Sequence, residues 1–327
     1  MAERILRVAS SLVTPRVEVV LHPPFRSPDD PAVGVLVATV PQSAQAPHQV
    51  DGRYWGRTSN GRQILTDPQV REVMLARRFD TERFESRLRS IAGNLDPVPA
   101  SDRKNGHLYL LAEPAAGPVA TPSRRCLDTE TLRRAIGIEP DHDPPLLHSA
   151  ATLRAHPDGR LLTAGVRKDT SGSGLRFAED DLVWLLVTDA GAVEVACGAG
   201  TTAQRTQFLF TGPEFEQAVN PPWVLEFLTS FCRLVAHLGE QHLAYTGPWR
   251  LGLFIDRLAG IRATDAIEDF EFGLDLEGFP SPEYLQTVAC SSEQLRHSSA
   301  EVAGRLAQRL LRGLGVSASH LPYEGST

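Results

Sequence analysis

Residues Pro41 to Arg78 read PQSAQAPHQVDGRYWGRTSNGRQILTDPQVREVMLARR, and the order of signals in this stretch decides the fold of the chain's first part. An apolar run, Val33 to Val40, leads into it, and its unbroken hydrophobicity predicts a strand buried on both faces. The stretch leaves through Thr66-Asp67-Pro68-Gln69, which has the form of a helix start: Thr66 as cap, Pro68 in the first turn and Gln69 placed to reach back. Between them come Arg53-Tyr54-Trp55-Gly56-Arg57, a turn at Ser59-Asn60-Gly61, and Arg62. Two aromatic rings and three guanidinium groups therefore fall within ten residues. Guanidinium pairs bidentately with phosphate oxygens and flat rings stack on bases, so this pattern points to nucleic acid.

Before the stretch, Ile5, Leu6, Val8 and Leu12 predict a short helix over residues 1–13. Arg16 to Leu21 alternates around Val17 and Val19 and meets Pro23-Pro24, which predicts a strand paired with the Val33–Val40 run. After it, Val70, Val73 and Met74 mark the apolar face of one helix, and Phe84, Leu88 and Ile91 that of a second. Arg83, Arg87 and Arg89 lie off that stripe, on a solvated face or against a polyanion. Asn94 to Asn105 is polar with two prolines and reads as a linker. Pro114 to Ser123 reads as a loop, with short helices near Thr129–Ile136 and Glu139–Pro145.

The remainder is patterned more regularly. Leu182–Thr188 and Val193–Cys197 are strands about an Ala190-Gly191-Ala192 turn, and Gln207–Phe210 is a third. Pro221-Pro222 opens a helix carrying Trp223, Phe227, Phe231, Leu234 and Leu238. Trp249–Ile255 and Leu285–Ala289 are further strands. Ser291 with Gln294 forms a capping box, and Val302, Leu306, Leu310 and Leu314 line a closing helix. Strands and helices segregated in this way predict an α+β fold.

The succession Val40-Pro41, Pro47-His48, Asp51-Gly52-Arg53-Tyr54-Trp55-Gly56-Arg57 and a polar-capped helix ending in Arg77-Arg78 resembles the second half of the Schlafen AlbA-like domain. The resemblance covers about residues 1–95 and implies a DNA-binding module of bacterial proteins. It implies contacts from His48, Arg53, Tyr54, Trp55, Arg57, Arg62, Arg77 and Arg78. The family's front half, with its Glu-x-Lys-like strand and Gly-Gly turn, has no counterpart after Met1. The expectation is a domain without its front or a start internal to a longer product, and no catalytic residue carries over. Trp249–Leu253, Leu285–Val288 and the closing helix resemble the rear region that accompanies AlbA-like domains in actinobacterial proteins. The expected organisation is residues 1–95 as a partial AlbA-like module, 96–106 as a linker, 107–316 as a larger mixed-sheet α+β domain with two long helices, and 317–327 as a disordered tail.

Composition limits the alternatives. The 327 residues are 42% hydrophobic and 22% charged, ordinary for a globular chain able to bury two cores. Net charge is −7, so any polyanion must be met by a local patch. From Arg53 to Arg89 nine Arg stand against five Asp or Glu. Lysine occurs only at 104 and 168, a bias that a GC-rich coding sequence also produces. Neither lysine completes Gly-x4-Gly-Lys-Ser/Thr, which excludes P-loop chemistry. Cys126, Cys197, Cys232 and Cys290 are too dispersed for a zinc site and suggest buried thiols in a reducing cytoplasm. No leader or spanning helix is evident, so a cytoplasmic protein without membrane contact is expected. No metal and no cofactor are implied.

Other features carry less. Ser171-Gly172-Ser173-Gly174 is a flexible loop before it is an anion nest. The run from Asp265 to Glu277 holds six carboxylates, which form either a polar face or a divalent-ion site. His48 either contacts phosphate or is structural, while His22, His107, His148, His156 and His237 have no useful spacing. Three functions stay open: a nucleic-acid-binding protein with DNA or RNA as partner, a Schlafen-type metal-dependent nuclease, and a protein-interaction scaffold. A homo-oligomer is compatible with each.

Overall fold

In the computed structural model the described residues are 2–17, 19–26, 34–40, 46–58, 61–115, 152–168, 175–208, 212–264 and 278–316. The turn expected at Ser59-Asn60, most of the loop after Pro114, the helices expected near 129–136 and 139–145, the Ser171–Gly174 loop, the acidic run and the tail lie outside them. So do Cys126 and His148. The chain is mixed α+β and divides into two compact units, Met1–Phe84 and Glu85–Thr327.

The first unit begins with α1 (Ala2–Ser11), followed by β1 (Val13–Thr14), β2 (Val20–Leu21) and β3 (Phe25–Arg26). Next come β4 (Gly34–Val35), β5 (Ala38–Thr39), β6 (Gln49–Val50), β7 (Arg53–Thr58) and β8 (Gly61–Ile64), and then the start of α2 (Asp67–Asn94). β2 pairs with β5 and β3 with β4, so the two apolar segments do form the legs of a hairpin. The second leg is not buried on both faces. Val35 is 64% and Val40 57% exposed, because the run is broken into two-residue strands that no layer covers among the described residues. β1, β6, β7 and β8 form a four-stranded sheet in that order, antiparallel at every pairing.

α2 starts where the capping pattern predicts. The Gln69 side-chain oxygen accepts from the Thr66 N–H at 2.9 Å, closing the first turn. It is one helix of 28 residues rather than two, since no glycine or proline interrupts Gln69–Ala92. The division between the units therefore falls within α2 and not in the polar segment after it. Residues 96–106 are no loose linker either. Arg103 and Asn105 are buried there, because polar side chains that read as solvated are hydrogen-bonded inside the second unit.

That unit is organised by β9 (Leu108–Pro114), whose LYLLA core is fully buried in both phases of its alternation. After it come β10 (Thr152–His156), β11 (Gly159–Ala164), β12 (Val166–Lys168), β13 (Leu175–Phe177), a 3-10 turn at Glu179–Asp181, β14 (Val183–Thr188) and β15 (Val193–Cys197). β16 (Thr202–Phe208), β17 (Gly212–Val219), β18 (Trp249–Ile255), β19 (Arg262–Ala263) and β20 (Tyr284–Cys290) complete the strands. Seven of them form one antiparallel sheet in the order β10-β11-β14-β15-β9-β18-β20.

On one face Leu108, Leu110, Leu185, Val195, Leu251 and Leu253 join a core with α3 (Pro221–His242) and α5 (Ser299–Gly313). α3 is capped by Asn220, whose side chain accepts from the Trp223 N–H at 3.2 Å. The short α4 (Ser292–His297) carries the capping box on Ser291 and Gln294. The opposite face, with Tyr109 and Phe254 stacked at 5.5 Å, meets the last turns of α2, where Arg89 lies over the Phe254 ring. Arg87 is not a solvated arginine: it bonds Glu113 and Glu194 on the sheet. Among the described residues no helix is long and apolar enough to cross a membrane.

Candidate nucleic-acid interface

Hairpin register decides which of the candidate side chains act together. In β7 and β8, Arg57 stands opposite Arg62 and Trp55 opposite Ile64, while β6–β7 pairing sets Val50 against Arg53. Directly opposed residues of an antiparallel pair share a face, and side chains alternate along each strand. Arg53, Trp55, Arg57, Arg62 and Ile64 therefore share one face of the hairpin, and Tyr54, Gly56 and Gln63 the other. The first face is the outer one. All three arginines are exposed, and Trp55 and Ile64 are 39% and 47% exposed.

The second face is partly covered, with Gln63 exposed at its β8 end. Tyr54 is half-buried, its carbonyl accepts from the Leu65 N–H at 2.8 Å, and the Leu65 side chain folds across Gly56. A Cβ on residue 56 would lie 2.4 Å from Leu65 Cδ2, so glycine makes room for that leucine. At the other end Asp51 and Gly52 take φ of 51° and 70°, both left-handed as a two-residue type I′ hairpin turn requires. The turn fixes the β6–β7 register and with it the side on which Arg53 emerges.

The outer face has an internal arrangement. The Arg62 guanidinium lies over the Trp55 ring, 5.2 Å from its centroid, a cation–π contact that holds the cation beside the ring. Arg57 and Arg62 are like charges directly across a ladder, a placement that costs folding energy. Among the described residues no carboxylate forms an ion pair with Arg53, Arg57 or Arg62. The face therefore presents an apolar centre, Trp55 beside Ile64, flanked by three guanidinium groups.

No protein-family model, curated protein or solved structure matches the chain.

The other candidate residues are placed differently. His48 is half-buried with Nδ1 2.7 Å from the Pro15 carbonyl, and its Nε2 is buried without a hydrogen-bond partner. Its Nδ1 is committed to the chain's own backbone. Arg77 donates to the Ala46 carbonyl at 2.9 Å, and Arg78 pairs with Glu82 at 2.7 Å on the exposed side of α2. Tyr54 is on the inner face. The outer set is thus Arg53, Trp55, Arg57 and Arg62, joined by Ile64, which the residue pattern alone did not single out.

A second polar assembly, in the second unit, had no sequence signal. His107, fully buried, has Nδ1 2.6 Å from Asp96 Oδ2 and Nε2 3.2 Å from Glu179 Oε2. Tyr109 donates to Asp96 at 2.8 Å, and the buried Arg103 donates to Asp256 at 3.0 Å and to the Ala92 carbonyl at 2.6 Å. Burial works against the Asp96 carboxylate, but the hydrogen bond and charge of His107, with the N–H of Val98 and the Tyr109 hydroxyl, hold it below its usual range. Glu179 is likewise held low: burial opposes its charge, and the Asn105 N–H, His107 and the Lys104 N–H outweigh it. Burial and the neighbouring Asp256 and Asp96 push the Tyr109 hydroxyl far up.

These groups satisfy one another and fasten segment 96–107 to the sheet. Among the described residues no group of three or more His, Cys, Asp or Glu is arranged to hold a metal. The acidic run suggested as an ion site lies outside them.

Proposed function

We propose that the chain is a cytoplasmic nucleic-acid-binding protein whose contact surface is the outer face of the β7–β8 hairpin. The observation that carries the reading is the cross-strand register. It gathers Arg53, Arg57 and Arg62 around an exposed Trp55 on one face, against a chain whose net charge is −7. Guanidinium supplies phosphate affinity and the ring supplies stacking. The residue order shared with the AlbA-like pattern supports the same assignment, with DNA or RNA as the partner. Cys197, Cys232 and Cys290 are buried and outside any disulfide, which fits a reducing compartment. A filter-binding titration of the Arg53→Ala/Arg57→Ala variant tests it: affinity for a nucleic acid falls, and an affinity equal to the parent's removes the reading.

One observation favours a second reading for a different surface. Phe25, Leu75 and Phe79 of the first unit are exposed, and several large apolar groups left in solvent on one small unit suit a protein contact. A protein-interaction scaffold would use these residues and leave the hairpin arginines aside.

A further inference from the structure

We infer that the hairpin face selects single-stranded over double-stranded nucleic acid; this rests on the nucleic-acid reading and narrows it. The argument begins with what occupies the centre of the face. Trp55 and Ile64 are a directly opposed pair, both more than one-third exposed, with arginines before and after them. A duplex offers its outside as phosphate and its grooves as polar base edges, and every base face inside it is covered by its neighbours. An apolar centre gains little from such a surface. An unpaired base offers a bare π-face, and stacking on an aromatic ring is the main sequence-tolerant contribution to single-strand affinity.

The flanking charges fit the same ligand. Strand rise of ~3.3 Å per residue puts Arg53 and Arg57 about 13 Å apart with Trp55 midway between them. Successive backbone charges of one strand can be met on both sides of a base stacked at the middle. Arg62 adds to this centre. Its guanidinium lies over the indole at 5.2 Å, and a guanidinium plane is itself a stacking surface for a splayed base. The inner face offers less to a base, since Tyr54 is half-buried, Leu65 folds across Gly56 and its exposed member is the non-aromatic Gln63. Nothing in this arrangement distinguishes ribose from deoxyribose, so the selection is for an unpaired strand of either sugar.

The test uses the full chain and fluorescein-labelled 12-mers of oligo-dT and oligo-U, with a mixed-sequence 12-base-pair DNA duplex of equal label, read by fluorescence anisotropy at fixed salt. The parent protein binds both single strands at least about tenfold more tightly than the duplex. Trp55→Ala loses about tenfold on the single strands and leaves duplex binding unchanged, and Trp55→Phe recovers most of the loss. Arg57→Gln weakens binding to all three probes. The comparison on the parent protein needs no variant, so a misfolded Trp55→Ala would not blunt it. Duplex binding as tight as single-strand binding overturns the inference and leaves the nucleic-acid reading standing, as does a Trp55→Ala loss equal on all probes. No binding of any probe by the parent overturns the nucleic-acid reading itself.

Discussion

Removing the two arginines that face each other across the ladder, as Arg57→Gln/Arg62→Gln, separates a binding role from a folding role in one protein. Three guanidinium groups on the hairpin face can neutralise about three phosphates, so log affinity falls against log salt with a slope of about −2.1 on a single strand. Raising salt from about 50 to 200 mM then weakens the parent roughly 18-fold. With one arginine left the slope drops to about −0.7 and the same change in salt costs only about 2.6-fold. Stability hardly moves. Like charges directly opposed on a sheet destabilise it, so neutralising Arg57 and Arg62 removes a repulsion that offsets the loss of the Arg62–Trp55 contact, and leaves the melting temperature close to the parent's. The assay is anisotropy at four salt concentrations, paired with thermal melts of both proteins. An unchanged slope places the phosphate contacts elsewhere. A variant that melts well below the parent shows that these arginines hold the fold together, and the reasoning from register fails.

Three further outcomes concern the second unit. Arg87→Met leaves Glu113 and Glu194 mostly buried without their cation; it costs about 2 kcal/mol in urea unfolding, the low side for a broken ion pair because the guanidinium is 36% exposed. Adding Glu194→Gln to that variant restores part of the loss, and no restoration would contradict the charge argument. Asp96 and Glu179 bind protons more weakly folded than unfolded, so the stability they contribute is complete above the unfolded carboxylate range near ~4 and is lost as pH falls through their lower folded values. Guanidinium unfolding midpoints therefore drop as the pH is taken below about 4, more steeply in the parent than in Asp96→Asn; parallel curves would remove Asp96 from the account. Gly159→Ala would set a Cβ 2.1 Å from the Val187 carbonyl oxygen, a backbone atom that cannot step aside, and lowers the melting temperature by about 5 °C or more. A melt within a degree of the parent's would mean that the β11–β14 ladder shifts freely.

Where local pattern and burial agree, the residues announced their structure. The Pro221-Pro222 start, the Ser291–Gln294 box, the Ala190–Ala192 turn and the Trp249–Ile255 strand all lie where their spacing places them, because each signal is local. Two of the failures share one cause. Val33–Val40 carries the composition of a buried strand, yet burial depends on layers supplied from elsewhere in the chain. Residues 96–106 carry the composition of a linker, yet Asp96, Arg103 and Asn105 find partners as far off as Asp256. His107 illustrates the limit: its carboxylates are 11 and 72 positions away, and no local spacing encodes such a cluster. The site is an intermediate case. The arginines and tryptophan were visible as residue types, but their shared face follows only from the Arg57–Arg62 register, which continues to Thr58 opposite Gly61 at the end of the ladder.

That register also answers the objection that an acidic chain should avoid a polyanion. Opposed side chains on an antiparallel ladder are about 5 Å apart at Cβ, inside the screening length of about 8 Å at physiological salt. The charges of Arg57 and Arg62 therefore keep roughly half of their unscreened interaction with each other and with a close ligand, while carboxylates beyond that length contribute little. Net charge governs long-range approach, and the local excess governs contact. Folding alone would favour a carboxylate opposite either arginine, which would turn a repulsion into an attraction. An exposed indole at the centre of the same face likewise gives the folded chain less than a buried one would. Two neighbouring departures from what stability prefers, on one face and of complementary chemistry, support the proposed contact with a polyanion. A bound strand would offset both at once, its phosphates relieving the arginine pair and its base covering the ring.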